Sequence, residues 1–201
     1  MTKETTPIQA HRSPEASSPD EGRALGTDPA DPQVEVIPAI SQCTTIEGLL
    51  QVLLEQAGSI YPCLNWLFGE IPDGDNPVEV EILAYSPTRL QKVYQGMRIP
   101  ILQSPFSQRL YEEHRLSYVG EDNGTLSRLN PQFVETFALS SFMGVPLLFE
   151  GKIIGILFAA TFKGEKASEP SETQQAALQN LAQAGALALN RISERPPTAP
   201  R

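Results

Sequence analysis

The chain of 201 residues is poor in cysteine, histidine and positive charge, and it has no long uninterrupted hydrophobic run. Cys43 and Cys63 form no CxxC pair, and neither has a histidine at metal-ligand spacing. The sequence therefore offers neither a disulfide framework nor a zinc site, and the two thiols read as idle in a reducing compartment. Fifteen Lys and Arg against 24 Asp and Glu leave a net charge of −9 and an isoelectric point near 4.7. No basic field is available to neutralise phosphates, so nucleic acid and anionic membrane are not expected as partners. The most hydrophobic stretch, "GVPLLFEGKIIGILFAATF", has a longest uncharged part of only ten residues, Ile153 to Phe162. A bilayer-spanning helix needs roughly 20. The N-terminus lacks the basic flank and apolar core of a signal peptide, which points to the cytoplasm.

What is present suffices for one domain with tails, since 40% of the residues are hydrophobic. Residues 1–39 are rich in Pro, Ser, Thr and acidic side chains and read as a disordered leader, and "ERPPTAPR" at 194–201 reads as a disordered tail. The body, 40–193, carries 16 acidic and 10 basic residues and is itself mildly acidic.

Within the body, Thr44 and Glu47 form a capping box ahead of an apolar-periodic helix through Ile60. "CLNWLFGE" reads as a buried strand, and "VEVEILAYS" as a half-exposed strand with Val78, Val80 and Ile82 on one face. "MRIPI" is a short extended piece. Ser104-Pro105 opens a helix whose Phe106, Leu110 and His114 share a face. "SYVGED" is a short strand, and Asn130-Pro131 opens another helical turn. Residues 142–149 and 152–162 make a strand pair joined at Glu150-Gly151, and Ser171 with Gln174 caps a long Ala/Leu/Gln helix to about Ser193. Strands and helices that do not alternate one for one favour an α+β fold around an antiparallel sheet.

The segment from Gly144 to Ile192 resembles the C-terminal half of a GAF domain: a Val-Pro-Leu strand, a glycine turn, an Ile-Gly-Ile-Leu strand and an alanine-rich helix. The first helix, the strand at 64–70, and "MRIPI" followed by a helix and "LSYVGED" match the N-terminal half in pattern. The resemblance implies a central antiparallel sheet of five to six strands. It places the terminal helices on one face, with short helices and loops over a pocket on the other.

It also implies which residues to ask about. Bilin attachment in this family needs a cysteine ahead of the last strand pair, and none occurs after Cys63. The methionine-sulfoxide reductases of the fold need cysteines around the extended motif, where "RIPILQSPFSQRLYEEHRLSYVGED" has none. The cyclic-nucleotide signature of the family is not assembled from "NPQFVETFALSSF". His114 is the one candidate haem ligand in the body, and it reads better as a hydrogen-bonded histidine. Glu112, Glu113, Glu121 and Asp122 read as a solvated rim rather than a cation site.

No catalytic set, metal or cofactor is expected. The candidate pocket comprises Trp66, Phe68, Tyr85, Phe106, Leu110, His114, Tyr118, Phe133 and Phe137. The candidate dimer surface on the terminal helices comprises Leu50, Leu54, Ala177, Leu181, Ala184 and Ala188. With only "ERPPTAPR" after the last helix, the expectation is a dimeric, non-catalytic sensor of a small ligand or of a signalling partner in trans. The alternative is a protein-interaction scaffold whose pocket is filled by its own side chains. A methionine-sulfoxide reductase comes third.

Overall fold

The architecture is taken from a computed structural model that describes residues 38–71, 79–87, 95–100, 104–165 and 168–194. Almost all of the expected leader and tail, along with Val78, lies outside the described residues. A helical turn at 38–42 leads into α1, Ile46–Ile60. The strands β1, Asn65–Glu70, and β2, Glu79–Ser86, follow, then the short β3, Arg98–Pro100. Helix α2 is Pro105–Tyr111 and strand β4 is Ser117–Gly120. A 3-10 turn at Leu126–Arg128 precedes helix α3, Pro131–Thr136. The long strands β5, Leu139–Phe149, and β6, Lys152–Phe162, lead to α4, Glu172–Ser193.

The six strands form one antiparallel sheet in the order β3-β2-β1-β6-β5-β4. The most hydrophobic stretch, residues 144–162, thus supplies two adjacent interior strands, β5 and β6. Glu150 and Gly151 both adopt positive φ, 50° and 77°, as a tight primed hairpin turn demands, and they bring Phe149 opposite Lys152.

Helix ends follow their caps. Ser171 and Gln174 make the reciprocal capping box, while Ser104 and Asn130 cap α2 and α3 with proline just inside. The start of α1 differs from the expectation by one residue. Thr45, not Thr44, is the N-cap, and its hydroxyl accepts from the Gly48 amide. That geometry puts Glu47 at N2, one position short of the N3 site a capping box uses.

Two apolar layers sandwich the sheet. On one face α1 and α4 lie antiparallel, with Leu49, Leu53, Leu178 and Leu181 packed against Trp66, Phe68, Val145 and Leu157. Gly185 permits the close approach: a Cβ there would stand 2.8 Å from Leu53 Cδ2. On the other face α2, the 3-10 turn and α3 cover Val80, Ile82, Phe142, Ile156 and Phe158. Gly144 lets α2 come down onto the sheet, since a Cβ there would lie 3.0 Å from Leu110 Cδ2 and 3.3 Å from Phe106 Cζ.

Candidate ligand site

The face beneath α2 and α3 is built around five phenyl rings, four of which line a cavity. Phe142 on β5 stacks on Phe158 of β6 with centroids 5.2 Å apart, and it meets Phe106 of α2 at 5.4 Å. Phe133 of α3 closes on it edge-first at 5.5 Å, backed by Phe137 at 5.0 Å. Edge and offset contacts of this kind complement the ring quadrupole and add to area burial.

Between these rings lies a cavity of about 40 Å³. Val80, Ile99, Leu110 and Leu129 complete its apolar wall, while Ser104, Ser107, Tyr111 and Asn130 supply its polar groups. No acidic or basic side chain lines it among the described residues. The two short helices point their N-termini here, but their own caps occupy the amides. Ser104 Oγ accepts from Ser107 N at 3.2 Å, and Asn130 Oδ1 accepts from Gln132 N at 2.8 Å and from Phe133 N at 3.3 Å. Burial pushes the Tyr111 phenol upward, so it stays a neutral hydroxyl.

Of the nine residues expected to form a pocket, Phe106, Leu110 and Phe133 line this cavity, and Phe137 stands behind Phe133. Tyr85 lies on the same face of the sheet but turns its hydroxyl to Asn65 Oδ1. Trp66, Phe68 and Tyr118 are on the opposite face, under α1 and α4. The reason is phase: β1 is buried on both sides, so hydropathy could not tell Trp66 from Leu67. His114 is exposed at φ 54°, beyond the end of α2, because the helix stops at Tyr111 and the face shared with Phe106 and Leu110 is not continued. Phe142 and Phe158 line the cavity too, although an apolar strand pair marks them in the sequence only as core. Its polar groups, Ser104, Ser107, Asn130 and Tyr111, carry no sequence signal beyond the two helix caps.

A second polar group ties the loop before α4 to the sheet edge. The Tyr118 hydroxyl donates to Asp122 Oδ1 at 2.8 Å, and Asp122 Oδ2 accepts from Glu169 N at 2.8 Å. The Tyr61 hydroxyl donates to the Ser168 carbonyl at 2.7 Å. The Cys63 thiol is half-buried and donates to the Ala160 carbonyl at 3.3 Å, and burial pushes its pKa up. That environment favours a protonated, unreactive thiol.

A protein-family model for the GAF domain matches residues 43–190. The chain belongs to the GAF family. Solved structures agree in fold at low identity. The GAF domain of an Acinetobacter phosphoenolpyruvate-protein phosphotransferase is 13% identical with a TM-score of 0.63, over 81% of this chain and 92% of that one. A GAF domain/HD domain protein from Geobacter sulfurreducens is 14% identical with a TM-score of 0.56, over 80% and 95%. The chromophore-binding domain of Stigmatella aurantiaca bacteriophytochrome is 12% identical with a TM-score of 0.62. That match covers 79% of this chain but only 59% of the Stigmatella one. No curated protein matches the chain in sequence. Among the described residues no helix is long and apolar enough to cross a membrane.

Proposed function

We propose that this GAF domain is a non-catalytic, cytoplasmic regulatory module that takes a small molecule into the cavity under α2 and α3 and acts on a signalling partner in trans. The observation that carries this reading is the site itself. An aromatic-lined cavity is roofed by two short helices, on the sheet face that α1 and α4 leave free. The surroundings of the candidate reactive side chains support a non-catalytic role, with Cys63 held as a thiol and His114 exposed and not among the described residues that line the cavity. A metabolite screen by thermal shift tests the proposal. A stabilising compound that also moves the Leu110 and Ile99 methyl resonances supports the sensor, because ligand at 100 times its Kd stabilises by about 2.7 kcal/mol.

The cavity's size favours a second reading. A volume of about 40 Å³ holds water but not a ring, which fits a scaffold domain filled by its own side chains. A screen without a single saturating compound selects that reading.

A homodimer through the terminal helices is part of the same proposal, with a revised surface. Leu50, Leu54, Leu181 and Ala188 are buried inside the protomer, and Ala177 and Ala184 are half-buried. The outward side of α4 instead presents Ala176, Asn180, Gln183 and Leu187, an uncharged stripe on which Leu187 is 54% exposed.

A further inference from the structure

We infer that the cavity's ligand is a small uncharged aromatic molecule carrying one hydrogen-bonding group, and that its ring takes the place now held by the Phe133 side chain. This rests on the reading of the cavity as a ligand site and names the chemistry that the site accepts.

The wall, among the described residues, offers no counter-charge to an ionic ligand. Burying a carboxylate, phosphate or ammonium without a partner costs several kcal/mol, and the described lining offers no charged side chain to offset it. Helix N-termini are the usual substitute for a cation. Here the Ser104 and Asn130 side chains already accept from amides at the starts of α2 and α3. What remains is neutral: the Ser104 and Ser107 hydroxyls, 3.1 Å apart, the Tyr111 phenol and the Nδ2 amide of Asn130, whose Oδ1 is taken by the cap. These groups suit one neutral polar substituent, a hydroxyl, carbonyl or ring N–H.

Aromatic character follows from the opposite wall. Phe106, Phe142 and Phe158 present faces and edges at the 5.2–5.4 Å spacings that ring pairs adopt. Size is set by what can move. An apolar cavity of about 150 Å³ accommodates benzene, well above the 40 Å³ present, so a lining ring must leave. Phe106 and Leu110 are the buried side chains of α2, and Phe142 and Phe158 belong to interior strands of the sheet. Phe133 is half-buried, sits on a six-residue helix, and meets Phe142 at the edge-on angle an entering ring would adopt. The protein thus carries a stand-in for its own ligand.

The test compares benzyl alcohol and indole with benzoate, benzylammonium and cyclic GMP, on the full chain and on Phe133→Ala, by calorimetry with methyl NMR of Leu110, Ile99 and Val80. The expected result is saturable binding of the neutral probes with shifts at those methyls, at least tenfold weaker binding of the charged ones, and a Kd at least tenfold lower in Phe133→Ala. Benzoate, benzylammonium or cyclic GMP binding as tightly as benzyl alcohol at the same methyls would overturn the ligand class while leaving the site intact. Equal affinity of the two proteins for indole would overturn the role of Phe133. If no probe binds either protein, with Phe133→Ala shown folded by circular dichroism, both the class and the small-molecule reading fail. Should Phe133→Ala not fold, Phe133→Leu makes the same comparison with a smaller expected gain.

Discussion

Arg191 is the residue on which the two ends of the domain meet. Its Nη1 and Nη2 donate to the Ser41 and Cys43 carbonyls, each at 3.0 Å, which fastens the helical turn at 38–42 to the last turn of α4. Its Nε is buried with no partner among the described residues, so the fork holds at some expense. Arg191→Met should lower unfolding stability by about 2 kcal/mol, and Arg191→Lys should recover less than half, because an ammonium cannot bridge two carbonyls in the guanidinium plane. Urea titration of the three proteins measures this. Tyr61 gives a second residue-scale prediction. Burial, then the neighbouring Cys63 and Asp122, pushes its phenol from 10.0 up to about 12. A pKa raised on folding means the contribution is complete below pH 10 and is lost as pH climbs toward 12. Stability followed by the fluorescence of Trp66, whose ring lies 6.3 Å from Tyr61, should fall across that window. Tyr61→Phe should flatten only part of the slope, since Tyr111 and Tyr118 are pushed up as well.

Among the elements, α1 against α4 depends on a glycine, and this contact explains why both helices are apolar beyond one stripe. Their surplus hydrophobic surface meets the partner helix as well as the sheet. A methyl group at Gly185 would press on Leu53, which is fully buried. Gly185→Ala should therefore destabilise the wild-type background by about 1–2 kcal/mol despite alanine's better helix propensity. In a Leu53→Ala background the same change should be neutral or stabilising, a coupling that a double-mutant cycle in urea would reveal. At the start of α4, Ser171→Ala removes one half of the capping box and should cost about 1 kcal/mol. Caps and turns such as Ser104, Asn130, Ser171 and Glu150-Gly151 were legible in the sequence because they act over three or four residues. The face assignments were not. Leu83 is an extra residue in a bulge opposite Phe68 and Gly69, so the alternation begun by Val80 and Ile82 passes to Tyr85 rather than Ala84.

For the molecule as a whole, the proposed dimer is the property most exposed to test. Leu187 projects from the uncharged side of α4, and α4 is also the element that Arg191 ties to the turn at 38–42. Leu187→Glu should convert a dimer to a monomer in light scattering while leaving the urea midpoint within about 0.5 kcal/mol, as expected of a surface site. A change at buried Leu50 would instead unfold the protomer, so it cannot probe assembly. A wild-type protein that is monomeric at all concentrations would remove the dimer from the proposal and leave the cavity untouched.

Apart from the cap of α1 and the end of α2, the sequence by itself determined the order of the elements, the caps at Ser104, Asn130 and Ser171, the tight hairpin and, through its Val-Pro-Leu and Ile-Gly-Ile-Leu strands, the resemblance to the family. These signals are local, set by a few neighbouring side chains and the backbone angles they permit. Only the tertiary structure decided which aromatics face which layer. Burial on both sides of β1 and β6 erases the hydropathic alternation, and a bulge in β2 reverses it. Trp66 and Phe68 therefore belong to the packing beneath α1 and α4, and the ring cluster around Phe142 was assembled from four separate elements that only folding brings together.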